Sequence, residues 1–256
     1  LRPIAEPLGN DLLDANQRER VRARLQAWLD RYLRWRLSKL YRLQSASIGG
    51  AARGLVFQLV ERLGSAPRAA AREQVDALEA GDRNLLSTLG LRVGTYTIFV
   101  AGLLRPESVQ LRALLWSTYF ARAAVKTPVG GSPVLRLDRG ELRCLPYIGY
   151  RRFGDIGLRV DHVEKLAMLA RKMARQGPFL ATPQLAGAAG CDGKDLVAVM
   201  SGLGYRASDE DMGTVFSPVR KRRTRKSSRA ARKNTRPSTQ LADSPFAKLR
   251  ELDGVR

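Results

Sequence analysis

Apolar side chains fall at positions 21, 25, 28, 29, 32, 33, 37 and 40, steps of three and four that place them on one side of a helix. The pattern predicts a helix over residues 14–43, with Asp14 or Asn16 as N-cap. Trp28 and Tyr32 lie on this stripe and are assigned to the core; Trp35 lies off it. A second helix follows the Ser/Gly-rich opening of "SASIGGAARGLVFQLVERLGSA" and ends at Gly64. A third is predicted in "PRAAAREQVDALEAGDRNLLSTLG" (67–90), with Pro67 at its first position and a short helix after it.

The pattern changes at "LGLRVGTYTIFVAGLLRP" (89–106). Gly, Thr, Tyr, Ile, Phe and Val replace Ala and Leu, and Thr95–Val100 reads as one short strand with both faces covered. Pro106 then opens another helix, with Glu107 in its first turn. Residues 126–140, rich in Gly and Pro, read as a linker or short hairpin. A helix beginning near Asp161 points Val163, Leu166, Ala167, Leu169 and Ala170 inward. Residues 182–206 read as two short helices around a glycine turn, with Thr182 as cap, Pro183 at N1 and Gly204 as stop.

The expected fold is therefore mainly α, with one or two short β elements and a basic C-terminal tail. The expected organisation has six parts. They are a linker at 1–13, a helical accessory domain at 14–125 with a strand at 95–100, and a linker or hairpin at 126–140. A small helical unit at 141–207 follows, then a disordered basic tail at 208–242 and a short terminal helix at 243–253.

Charge changes the picture from fold to partner. The net charge is +21, and Arg outnumbers Lys four to one. Arg presents a planar fork that donates two parallel hydrogen bonds to phosphate, so nucleic acid is the expected partner class. The two cysteines, Cys144 and Cys191, stand alone, which suits a reducing compartment and offers neither a zinc site nor a disulfide framework. No apolar run approaches the ~20 residues of a membrane span, so a cytoplasmic protein without membrane contact is expected. The first residue is not Met, which fits a chain that begins midway through a longer protein.

Candidate chemistry is sparse. "AAGCDGKD" (188–195) is the nearest string to a P-loop, but Ala188 stands where the first Gly belongs. Asp195, which would repel phosphate, takes the Ser/Thr position. The one histidine, His162, has no partners for general-base or metal-ligand work and reads as an exposed first-turn residue. Ala186, Gly190 and Leu196 have helix-turn-helix spacing. The second helix, however, offers little beyond Lys194 and Ser201 to reach base edges, so a structural hairpin is expected. No catalytic or metal residue is assigned.

Binding candidates are clearer. From Arg220 to Arg236 there are ten basic residues and no acid: Arg220, Lys221, Arg222, Arg223, Arg225, Lys226, Arg229, Arg232, Lys233 and Arg236. Such a segment attracts polyphosphate by counterion release. Arg31, Arg34, Arg151, Arg152 and the off-stripe Trp35 are the candidates outside the tail, with Arg24 next to them. In "DSPFAKLREL" (243–252), Ser244 can cap a short helix that sets Phe246 and Leu249 on one side as a docking motif.

Four strings together resemble one family: "GAARGLVFQLVERLG" (50–64), "LGLRVGTYTIFVAGLLRPESVQLRALLW" (89–116), "YIGYRRFGDIGLRVDHVEKLAML" (147–169) and "DSPFAKLRELDG" (243–254). They resemble the C-terminal region of bacterial, especially alphaproteobacterial, relatives of the mitochondrial degradosome RNA helicase, a DExH-box enzyme of superfamily two. The likeness spans roughly residues 14–205 and the last dozen; one departure is Ala101, where relatives more often carry Pro. The resemblance implies an accessory region of an ATP-dependent helicase, a hydrolase whose motor precedes residue 1. ATP and Mg would belong to that motor, with no cofactor in this chain. The implied partners are RNA, the motor in cis and an RNA-degradation partner. The alternatives are a ribonucleoprotein protein-docking module and a helix-turn-helix DNA-binding regulator. On this reading the purified chain hydrolyses no ATP with or without RNA; RNA-stimulated turnover abolished by Lys194→Ala would contradict it.

Overall fold

The computed structural model describes residues 3–8, 14–127, 129–136, 141–210 and 213–219, all within one compact unit that runs to Val219. The chain is mainly helical, with strands gathered in small sheets. Helix α1 (Ala15–Arg36) starts on a capping box: Asp14 Oδ1 accepts the Gln17 amide at 2.7 Å, and Gln17 Oε1 accepts the Asp14 amide at 3.1 Å. The long helix predicted from the periodicity breaks at Leu37, after which α2 (Ser38–Ser45) and α3 (Gly50–Glu61) follow. Leu33, Leu37, Leu40 and Leu43 reach the core from α1, α2 and the break between them.

Pro67 does not open a helix. It closes strand β1 (Ser65–Pro67), and a 3₁₀ turn at Arg68–Ala71 leads into α4 (Arg72–Asp76) and α5 (Ala80–Thr88). β1 pairs antiparallel with β3 (Thr97–Val100), and β3 pairs with β2 (Leu91–Val93). The Thr-Ile-Phe-Val stretch is thus the central strand of a three-stranded sheet, and Thr97 to Val100 are all buried, so both its faces are covered. The strand begins at Thr97 rather than Thr95 because Gly94–Thr97 form a tight turn, with the Gly94 amide donating to the Thr97 carbonyl at 2.9 Å.

Helix α6 (Pro106–Tyr119) begins at Pro106 as expected, with Glu107 in its first turn. Beyond it, the segment expected to link two units contributes β4 (Val134–Arg136) to a second sheet. After α7 (Leu145–Ile148), β5 (Tyr150–Phe153) and β6 (Ile156–Arg159) complete that sheet in the order β4-β6-β5. Helix α8 (Val160–Ala174) buries Val163, Leu166, Ala167 and Ala170, and Leu169 packs partly buried beside them.

A short strand β7 (Phe179–Leu180) precedes α9 (Pro183–Ala189) and α10 (Gly193–Gly202), which meet at Gly190 in the left-handed region. Thr182 caps α9, as its spacing before Pro183 predicts. The chain does not turn irregular at Ser208. Tyr205–Glu210 is strand β8, and it pairs along its length with β9 (Gly213–Pro218). Arg220 through the terminal motif, including Phe246 and Leu249, lie outside the described residues.

One carboxylate joins the first sheet to the second half of the chain. Glu164, in the first turns of α8, accepts the backbone amides of Thr95, Tyr96 and Thr97 at 2.7, 2.8 and 3.0 Å. A Cβ at position 94 would collide with that carboxylate, so Gly94 is needed for the approach. Farther along α8, Arg171 Nη2 donates to Thr95 Oγ1 at 2.6 Å, and the Tyr96 hydroxyl donates to the Leu203 carbonyl at 3.0 Å. Glu164→Ala strands three amides at this joint and is expected to lower the unfolding free energy by about 2–3 kcal/mol. Urea denaturation checks this, with exposed Lys165→Ala as a neighbour control expected within about 0.5 kcal/mol of the parent. A Glu164→Ala loss no larger than the control would show that the joint does not hold the halves.

Candidate nucleic-acid interface

The turn held by Glu164 forms one wall of a cleft of about 620 Å³. The 3₁₀ turn and α4 supply Arg68, Arg72 and Asp76; β5 supplies Tyr150, Arg151 and Arg152; Thr95 to Thr97 lie between them. Four arginines therefore line the cleft with one lining carboxylate, Asp76. Arg68 Nη1 donates to the Gly94 carbonyl at 2.9 Å and Arg152 Nε to the Gly154 carbonyl at 2.9 Å. Each tether uses one of five donors and positions the fork without satisfying it. Arg72 meets Asp76 only in an exposed i,i+4 pair at 3.5 Å, of little energetic consequence.

Arg151 is half-buried and lies over two rings, 4.5 Å from the centroid of Tyr96 and 5.3 Å from that of Phe153. Burial pushes its guanidinium below the ordinary value, against the opposing pull of Tyr96 and Glu164. Tyr150 is raised by burial, and its hydroxyl donates to the Ser132 carbonyl at 2.8 Å. The cleft thus combines basic forks, apolar ring edges and tethered geometry, which suits holding a phosphorylated, partly planar ligand. Arg151 and Arg152, picked out from sequence, lie in it together. Arg31, Arg34 and Trp35 do not; they sit on α1, exposed.

Arg68 and Arg72 are functional candidates that the sequence reading missed. The signal was present in "PRAAAR", where two arginines four apart fall on one helical face, but it became a site only opposite β5. Trp28, expected in the core, is 57% exposed, and its ring contact among the described residues is Tyr32. Tyr32 is half-buried against the core, as assigned in part.

The remaining candidates take structural places. His162 is not exposed: its Nδ1 lies 2.9 Å from the Ala188 carbonyl and its Nε2 3.1 Å from Arg159 Nη2, a pattern in which Nδ1 donates and Nε2 accepts. Asp195, in the string that resembled a P-loop, pairs with Arg136, and the string spans the end of α9, the turn and the start of α10. Cys144 is buried and Cys191 half-buried, both unpaired, and burial pushes their thiols up to about 12 and about 11. Among the described residues no group of His, Cys, Asp or Glu is placed to hold a metal ion, and no helix is long and apolar enough to cross a membrane.

No protein-family model matches the chain, and no curated protein matches it.

The ion pair beside His162 sets a pH response. Burial would raise Asp161, but two hydrogen bonds from Arg159, at 2.7 and 3.0 Å, and its charge outweigh that, so the carboxyl is held below the ordinary range. A lowered folded pKa contributes stability above the unfolded value, about 3.9, and loses it as the pH falls through the folded value. Asp161→Asn is therefore expected to be less stable than the parent near neutrality and to converge with it in acid. Thermal unfolding across pH 2–7 measures this; a constant offset over that range would show that Asp161 does not carry the response.

Proposed function

We propose that this chain is a non-catalytic RNA-binding region that works beside an ATP-dependent helicase motor. The observation that carries the reading is the cleft lined by Arg68, Arg72, Arg151 and Arg152, with Asp76 the one carboxylate residue in its lining. Arginine forks at fixed tethers recognise phosphate and ribose without reading base edges, which makes the binding largely independent of sequence. The net charge of +21 supports the same partner class. The ten cations between Arg220 and Arg236 would add a salt-sensitive component to the same binding.

The helicase association rests on the resemblance of the four strings. It supplies the rest of the proposal: a motor that brings ATP and Mg, an RNA-degradation partner and a cytoplasmic setting. In that arrangement the region would hold RNA as the motor pulls on it and contribute no bond-breaking step of its own.

The test is binding of single-stranded RNA across a salt series. Six phosphate contacts from the tail would give a slope of log K against log salt near −4. Deleting 219–237 is expected to flatten that slope strongly. Arg72→Glu with Arg152→Glu, both exposed, is expected to weaken binding to all sequences alike and flatten the slope by about one to two more. A cleft variant that binds with the parent's affinity and slope would remove the cleft from the reading.

A further inference from the structure

Resting on the RNA-binding reading, we propose that the exposed side of α1 is a base-stacking ridge that selects single-stranded nucleic acid, separate from the cleft. Arg24, Trp28, Arg31 and Trp35 follow at steps of four, three and four, so cation and indole alternate along one helical stripe. All four are exposed, Trp28 at 57% and Trp35 at 64%. The two indoles are two turns apart, about 10 Å along the axis, with Arg31 between them.

The indoles are held in place. Trp28 stacks on Tyr32 with centroids 5.3 Å apart and planes 12° from parallel. Tyr32 meets Trp35 edge to face at 6.2 Å, and the Arg36 guanidinium lies 4.1 Å from the Trp35 centroid. Tyr32 itself packs against the core, so the series is anchored at its centre and open at both ends. Trp28 thus has Tyr32 as its ring neighbour, Trp35 has both Tyr32 and Arg36, and each indole keeps exposed surface for a ligand. Preset rings lose little freedom when a base stacks on them.

The charge pattern identifies the occupant. Glu19 and Asp30 fall on the opposite side of α1 from the two indoles. Arg24 and Arg31 flank the indoles and make no ion pair among the described residues. A single strand alternates a planar base with a phosphate, which is the alternation the ridge presents. A duplex keeps its bases stacked on one another and offers the indoles nothing. A protein partner would have to take the arginines out of water between two indoles, at a desolvation cost that phosphate binding does not incur in this open setting.

The experiment compares the full chain with Trp28→Ala, Trp35→Ala and the double variant. The probes are a short oligouridylate and the blunt duplex it forms with oligoadenylate. Each alanine is expected to weaken single-strand binding about tenfold and leave duplex binding within about twofold. The phenylalanine variants should retain most of the affinity. Tryptophan fluorescence of the parent should be quenched by the single strand, while the buried Trp116 left in the double variant stays unquenched. Unchanged single-strand affinity, equal loss for both probes, or binding without quenching would each overturn the ridge. A sedimentation change in the double variant with RNA binding intact would assign this face to protein contact instead, overturning it too. Loss of binding in Arg72→Glu with Arg152→Glu alone would overturn the ridge and keep the RNA-binding reading; no binding by the parent would overturn both.

Discussion

The structure depends on one carboxylate meeting one turn. Three consecutive amides at Thr95, Tyr96 and Thr97 have no strand partner in common, and Glu164 satisfies all three from a helix that begins more than sixty residues later. Charge-assisted bonds to backbone amides are among the stronger ones available to a half-buried group. Because the same turn is tied by Arg68 at Gly94, by Arg171 at Thr95 and through Tyr96 to Leu203, its position is set from four directions. The basic cleft is a by-product of that arrangement: its walls are the elements the turn ties together.

A second buried polar centre supports the first. Arg112 on α6 is wholly buried, donates to the Leu103 carbonyl at 3.1 Å and to Ser65 Oγ at 2.9 Å, and Ser65 in turn donates to the Pro146 carbonyl. Burial pushes the guanidinium down to about 9, so it remains charged at neutral pH. No carboxylate pairs with it among its contacts, and its Nε has no partner among the described residues. Such a group is costly to bury. What it does here is tie the 3₁₀ turn after β3 to strand β1 and pack beside Gly149, where a Cβ would collide with Leu104 and only touch the guanidinium. The first sheet is therefore fixed at both ends of its central strand, by Glu164 at the start and Arg112 beyond the finish.

Electrostatics separate the two basic surfaces. In the cleft Arg68 and Arg152 are tethered to backbone carbonyls and Arg151 is half-buried over aromatic rings, where its charge is less screened. On α1 the arginines stand in water, where salt weakens their field. If both proposals hold, the cleft would grip backbone and the α1 ridge would stack bases, complementary ways to hold a polymer of alternating charge and plane.

Much of the helical framework was legible along the chain. The α8 face, the start of α6 at Pro106, the Thr182 cap and the Asp14 cap all follow from local rules that act within a turn or two. The strands were not, apart from the Thr-Ile-Phe-Val run. β1, β4 and β5 are three or four residues long, and β8 carries Arg, Ser, Asp and Glu. Their pairing comes from backbone hydrogen bonds to distant partners rather than from any period in their side chains. The same limit applies to the site. Composition alone determined that the chain is strongly basic and rich in arginine, and neighbouring positions alone marked Arg151 with Arg152 and the alternation of Arg and Trp on α1. Only the tertiary structure decided that Arg68 and Arg72 face Arg151 and Arg152, and that Trp28 is left uncovered. Those outcomes depend on which elements pack against each other, and that is set by long-range contacts such as Glu164 with Thr95–Thr97.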